Sequence, residues 1–278
     1  MIFSWLRILV GVLFCALVLV TFTPVLLLFL PSRRIRIRIG NLAGKMIGRT
    51  VLFLASSRID PGLNAQMQER WPAIYISNHT SILDIFVGIW LTPFGTCGVA
   101  KKSIIWYPFF GLLYFLSGHL RIDRSNRDQA MGAMAEMAEI MRRYNIGLWI
   151  WPEGTRARDG RLRPLKKGFA HMAMATGLPV VPVVVAGAQK AWRHGSWRIH
   201  PTELKISVLD PISTKGWTAE NLDQKIKMVH DLMEDALPPE QKGVVERSLD
   251  ALVRPSLLEE AGRMASQHMS SSQSKENA

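Results

Sequence analysis

The chain has 278 residues and carries 34 Lys and Arg against 22 Asp and Glu, a formal net charge of +12. That length allows one large domain or a domain with attachments, and so basic a balance points to an anionic partner: nucleic acid, an anionic lipid surface or a phosphorylated substrate. The two cysteines, Cys15 and Cys97, lie far apart and exclude a disulfide framework or a cysteine zinc site, so a reducing compartment is allowed.

The first element is apolar. From Ile8 to Leu30 no residue is charged, and about 20 such residues suffice to cross a bilayer core as a helix. Pro24 is expected to kink this helix or end a first segment. Four arginines follow the run (Arg33, Arg34, Arg36 and Arg38), and only Arg7 precedes it. By the positive-inside bias, the domain that follows stays on the cytoplasmic side of the membrane. A cleaved signal peptide is the alternative, but the run exceeds an h-region of about 7–15 residues and no A-x-A-like site follows it. A second segment, Leu42 to Ala55, mixes apolar residues with small glycines, Lys45 and Arg49. It fits an amphipathic or re-entrant helix at the interface equally with a core helix of the soluble domain.

From Trp71 to Asp210, short apolar runs alternate with helical patterns. Ala73–Ile76, Gly147–Trp151, Val180–Val185 and Leu204–Val208 read as strands, being β-branched or aromatic and bounded by Pro, Gly or Asn. Residues 82–90, 127–143 and 167–176 read as helices. Met131, Met134, Met137, Ala138 and Met141 fall at helical spacing and are expected in the core, and Gly177 is a helix stop. The alternation predicts an α/β layer fold. Residues 218–237 predict a charged amphipathic helix, and the Ser-rich tail from Gln267 onward predicts disorder. The expected division is a membrane-embedded helical segment over 1–56, an α/β domain over 57–212, and a helical extension with its tail over 213–278.

Where the first strand stops, the sequence reads Ser77-Asn-His-Thr-Ser-Ile-Leu-Asp84. His79 and Asp84 would lie roughly 140° apart on one ideal helix. They meet only if His79 precedes the helix and turns back over its first turn. Ser81 and Asp84 also have the spacing of a capping box, which would use the carboxylate for the helix end alone. The two roles are compatible. A His–Asp pair fixes the imidazole tautomer and frees the other nitrogen as a general base.

Further stretches decide the matter. Ile122-Asp123-Arg124 follows the Gly-containing Ser117-Gly118-His119, Trp151-Pro-Glu-Gly-Thr-Arg156 follows a strand, and Gly177-Leu-Pro-Val-Val-Pro-Val183 opens another. With Asn78-His79-(x4)-Asp84, their identity and order closely resemble the four motifs of the 1-acylglycerol-3-phosphate acyltransferase family, the glycerolipid acyltransferases that make phosphatidic acid. Ala100 to Gly111 and Pro164 to Gly168 resemble the family too, and the likeness covers about residues 71–185. Thr80, Trp151, Ala157 and the pair Leu120-Arg121 depart from the family's usual residues. None of these removes a catalytic group, but they bear on which acceptor lipid is taken.

The resemblance implies a mixed sheet flanked by helices. It also implies acyl transfer from acyl-CoA or acyl-carrier protein to the 2-hydroxyl of lysophosphatidic acid, with no cofactor beyond that co-substrate. His79 is then the base and Asp84 its orienting partner, and the hydroxyl attacks directly. Ser81 is a poor rival nucleophile, since no G-x-S-x-G elbow exists. A phosphate clamp should be cationic, and Arg156 and Arg124 are its best candidates, with Lys101 or Lys102 adding charge. Glu153, Gly154 and Thr155 are assigned to acceptor binding, against the alternative that Glu153 and Arg156 form only a structural ion pair. Arg158, Arg161, Arg163, Lys166 and Lys167 extend the basic region with no signal for a role. His119, His171, His194 and His200 lack metal-ligand spacing, and no metal is implied. Pro179 and Pro182 fit a strand edge. The aromatic stretch from Ile104 to Leu116 fits an acyl channel, a membrane dip or a core helix. The expected setting is the cytoplasmic membrane, with lipid and acyl donor as partners. Nucleic acid is not expected, because the cations gather at the motifs without interleaved stacking aromatics. Another lyso-lipid, such as a lyso-ornithine lipid, or glycerol-3-phosphate is the alternative acceptor.

Overall fold

Three fully buried strands, each apolar on both faces, organise the molecule. The structure is a computed structural model that describes residues 2–57, 59–123, 127–192 and 195–243. The expected disordered tail therefore lies outside the described residues. Six strands form one sheet in the order β3-β2-β4-β1-β5-β6. These are β1 (Ile74–Ser77), β2 (Thr96–Lys101), β3 (Leu120–Ile122), β4 (Gly147–Ile150), β5 (Val180–Ala186) and β6 (Lys205–Val208). All neighbours are parallel except β5 and β6. The sheet is thus the mixed one expected.

Successive residues point to opposite faces of a strand. Ile74, Ile76, Leu148, Ile150, Val180 and Val184 turn to one side and pack with helices α6 (Arg127–Tyr144), α7 (Gly168–Thr176) and α9 (Leu222–Asp235). Tyr75, Trp149, Val181, Val183 and Val185 turn to the other and pack with α1 (Ile2–Leu28), α2 (Arg33–Leu54) and α4 (Leu83–Leu91). The short helices α3 (Gly62–Glu69), α5 (Phe110–Leu116) and α8 (Ala188–Ala191) complete the order, with 3₁₀ turns at Lys102–Trp106 and Pro239–Gln241.

Several expectations change. Pro24 does not end the apolar helix, which runs on to Leu28. The arginines after it belong to a helix: Ser32 accepts the Ile35 N–H and caps α2, which starts at Arg33. One face of α2 is buried through Ile37, Gly40, Asn41, Ala43, Ile47, Gly48, Val51 and Leu52. Leu42, Met46 and Phe53 remain exposed on it. Lys45 turns inward to Asn64 Oδ1 (2.5 Å) and the Trp90 carbonyl (2.9 Å), and burial pushes its ammonium down to about 8. The methionine stripe is only partly core: Met137 and Met141 are buried, but Met131 is 61% exposed where α6 rolls toward solvent. Pro182 is not at a sheet edge, because β5 runs between β1 and β6. The β6 register begins at Val183, and Pro182 contributes only its carbonyl, to the Leu209 N–H at 2.9 Å, so its missing donor costs nothing there. Gly177 does stop α7, in the left-handed region at φ 69°.

Candidate active site

The parallel strands β1, β2 and β4 run side by side, and the chain leaving their carboxyl ends carries the predicted groups. In open α/β sheets that edge is where ligands bind. Past the end of β1, the Asn78 amide continues the ladder by itself. Its Nδ2 donates to the Val185 carbonyl and its Oδ1 accepts the Val185 N–H, both at 2.8 Å. The backbone of His79 is then gripped from both sides by the loop after β4. Its N–H donates to Glu153 Oε1 at 2.7 Å, and its carbonyl accepts the Ala157 N–H at 2.8 Å.

Asp84 answers the question raised by the octapeptide. Its Oδ2 accepts the backbone N–H groups of Thr80 (2.6 Å) and Ser81 (2.7 Å), as a helix-start carboxylate does, and it also meets His79 Nδ1 at 3.2 Å. Cap and pair are one arrangement, and Asp84 is 1% exposed within it. A carboxylate facing Nδ1 favours the tautomer in which Nδ1–H donates to it, which leaves Nε2 as the nitrogen with the free lone pair. Nε2 has no hydrogen-bond partner among the described residues. The ring stacks on Trp151 with centroids 5.0 Å apart. Ser81 Oγ accepts the Leu83 N–H and donates to the Trp192 carbonyl at 2.6 Å, which occupies the hydroxyl and fits a structural role.

His79 lines a cavity of about 800 Å³ that has two chemical characters. One part is cationic or polar: Lys101, Gly154, Thr155, Arg156, Arg158 and Arg163. The other runs between α2, α4 and α5 past Ile85, Ile89, Val99, Ile104, Tyr107 and Leu113. The aromatic stretch thus serves two surfaces, since Trp106, Leu112 and Phe115 point outward at 84%, 45% and 42% exposure.

Of the predicted residues, His79, Lys101, Gly154, Thr155 and Arg156 line this one cavity. Lys102 does not; its Nζ faces Asp123 at 3.8 Å, outside the cavity wall. Arg124 lies outside the described residues. Glu153 forms no ion pair with Arg156 among the described residues, and its carboxyl is turned to the His79 backbone instead. Burial pushes that carboxyl up to about 8, against the opposing pull of the His79 and Arg163 backbone N–H groups, with the Asp84 charge adding to the rise. Arg158 and Arg163 join the cavity wall, although the run of basic residues showed nothing about which way each one turns. His119 also reaches it. Its Nδ1 accepts the Gly98 N–H at 3.2 Å, and burial holds it neutral, down to about 4.

A His–Asp pair with its carboxylate buried, beside a cavity lined by three arginines and a lysine as well as by apolar side chains, fits a transferase for a long-chain, anionic acceptor. The family model described as Acyltransferase matches residues 63–186. A 1-acyl-sn-glycerol-3-phosphate acyltransferase of Limnanthes douglasii is 44% identical over 230 residues, 82% of this chain and 81% of its own. The protein of that description from Cocos nucifera is 42% identical over 232 residues, 84% and 75% of the two chains. The chain belongs to this acyltransferase family, and it is an enzyme of phospholipid synthesis. The crystal structure of the 1-acyl-sn-glycerophosphate (LPA) acyltransferase from Thermotoga maritima matches with a TM-score of 0.60 over 81% of this chain and 94% of the other. At 20% identity that likeness speaks for the fold.

Proposed function

We propose that this enzyme transfers an acyl group from a thioester, carried by coenzyme A or acyl-carrier protein, to the 2-hydroxyl of lysophosphatidic acid, giving phosphatidic acid. The observation that carries this reading is that His79 lines one cavity together with Arg156, Arg158, Arg163 and Lys101 and with apolar side chains such as Ile85, Ile89, Val99 and Leu113. The Nε2 lone pair takes the hydroxyl proton as that oxygen attacks the thioester carbonyl. The carbon–sulfur bond breaks, and the proton passes to the departing thiolate. Asp84 steadies the imidazolium formed in between, and no acyl-enzyme is required. Arg156, Arg158 and Arg163 hold the acceptor phosphate, with Lys101 adding charge and Gly154 and Thr155 forming the wall beside them. Glu153 acts by fixing the His79 backbone. The apolar wall takes an acyl chain.

The same enzyme works at the cytoplasmic membrane surface, where a lipid acceptor and a soluble donor meet. The exposed apolar side chains of α1, among them Leu9, Leu13, Leu17 and Val20, support this, together with Trp106. We read α1 as embedded in one leaflet. Its amino end touches the α/β domain, with Trp5 stacked on Trp197 at 5.1 Å and Ser4 Oγ accepting the Ile199 N–H at 3.4 Å. Its carboxyl end leads directly into α2 on the same domain.

The test is acyl transfer by membranes holding the protein, with lysophosphatidic acid and labelled acyl-CoA or acyl-carrier protein. Wild type yields labelled phosphatidic acid, and His79→Ala loses it by about 10²-fold or more, the worth of a general base. A wild type inactive with lysophosphatidic acid but active with lyso-ornithine lipid or glycerol-3-phosphate overturns the acceptor. Full activity of His79→Ala overturns the mechanism.

A further inference from the structure

The arginines assigned to the phosphate sit on an irregular loop, and part of that loop's support comes from outside the acyltransferase motifs. Arg158 and Arg163 both line the cavity, and residues 159–162 run between them without regular structure. Part of their conformation is local. Asp159 Oδ1 accepts the Arg161 N–H at 3.2 Å, and Gly160 adopts φ 78°.

Motif residues hold the loop's two sides, through the Ala157 N–H on the His79 carbonyl and the Arg163 backbone N–H beside Glu153, and a further tie comes from far along the chain. Gln241 ends the 3₁₀ turn Pro239–Gln241 and is 1% exposed. Its Nε2 donates to the Gly160 carbonyl at 3.3 Å, and its own carbonyl accepts the Leu162 N–H at 2.9 Å. Its Oε1 accepts the Gly187 N–H, also at 2.9 Å. Gly187 follows β5, the strand whose Val185 holds Asn78 next to His79. One buried amide thus ties the arginine loop to the strand that positions the base. A primary amide suits this place because it offers an acceptor and a donor at once. An aliphatic side chain would leave the half-buried Gly187 N–H and the buried Gly160 carbonyl without these partners, and a carboxylate would set oxygen against the Gly160 oxygen.

We propose that Gln241 is a positioning residue for acceptor binding: it sets where Arg158 and Arg163 stand relative to His79, and so where the acceptor phosphate sits relative to the base. The inference rests on the reading that these arginines hold that phosphate.

The experiment is steady-state kinetics on membranes holding the full chain, varying lysophosphatidic acid and the acyl donor separately. Gln241→Leu, Gln241→Glu, the pair Arg158→Ala/Arg163→Ala, and that pair combined with Gln241→Leu are compared, and thermal melting reports how much protein is folded. Gln241→Leu is expected to raise KM for lysophosphatidic acid about tenfold, in keeping with the loss of one or two hydrogen bonds. KM for the donor should stay unchanged. Gln241→Glu keeps the Gly187 contact but loses the donor to Gly160, and should move KM in the same direction. The effect of Gln241→Leu should vanish once both arginines are gone. A fall in kcat that tracks the folded fraction, with KM unmoved, overturns the inference and leaves Gln241 a stability residue. So does a KM effect of undiminished size in the arginine-free background. If the arginine pair itself leaves KM for lysophosphatidic acid unchanged, the phosphate assignment fails first and the inference falls with it.

Discussion

Glu153 buries a carboxyl against the His79 backbone, near the Asp84 carboxylate, and its protonation is set by burial. Its pKa is pushed up to about 8 from an ordinary value of 4.5. The folded enzyme therefore keeps this proton between those two values while the unfolded chain releases it. The folded state binds more protons in that window, so stability falls as pH rises from about 4.5 to 8. A glutamine side chain at this position cannot titrate, yet its amide oxygen can still accept the His79 N–H. The melting temperature of Glu153→Gln in detergent should accordingly be flatter across this range than that of wild type. An unchanged slope would place the titration elsewhere. Activity should survive the substitution in large part, since the contact that holds His79 needs only an acceptor.

At the scale of elements, two glycines on helices should respond to alanine with opposite signs. Gly48 lies where α2 crosses α4, and a Cβ there would stand 2.6 Å from the Phe86 carbonyl oxygen and 2.8 Å from Trp90 Cβ. Gly132 on α6 has nothing within 4 Å of such an atom. Alanine in a helix interior gains roughly 0.5–1 kcal/mol over glycine, whereas overpacking costs about 1–3 kcal/mol. Gly132→Ala should therefore raise the melting temperature and Gly48→Ala should lower it. Equal shifts for the two would mean that the α2–α4 crossing is looser than the structure has it.

The sheet beneath that crossing shows why some elements were legible in the sequence and others were not. The strands β1, β4 and β5 are β-branched or aromatic runs, and the chain leaving β1 and β4 holds the motif residues in order, so their place at one sheet edge could be anticipated. Residues 96–101, in contrast, read Thr-Cys-Gly-Val-Ala-Lys, with no strong strand preference; β2 exists because β3 and β4 offer it a ladder on both sides. The three residues of β3 are too few to show a period. Arg158, Arg163 and Gln241 were hidden for the same reason. Their direction is decided by contacts between loops far apart in sequence, such as Gln241 with Gly160.

At the scale of the whole molecule, the question is which way α1 lies. Twenty-seven helical residues extend about 40 Å, enough to cross a bilayer. A spanning helix would carry its amino end to the face opposite the α/β domain. Here that end is engaged by the domain itself, through Trp5 with Trp197 and Ser4 with Ile199. Most of the span is not buried in protein: only 11% of its apolar window is. An embedded helix lying along one leaflet satisfies both facts, since lipid covers the outer face while the ends stay on the domain's side. Labelling decides it. Ser4→Cys, in a chain with Cys15→Ser and Cys97→Ala, should react with an impermeant maleimide in vesicles that expose the cytoplasmic face. It should stay unreactive in intact cells. Reaction from the outer face would make α1 a true span, and the Trp5–Trp197 contact would then have to be absent from the membrane-bound enzyme.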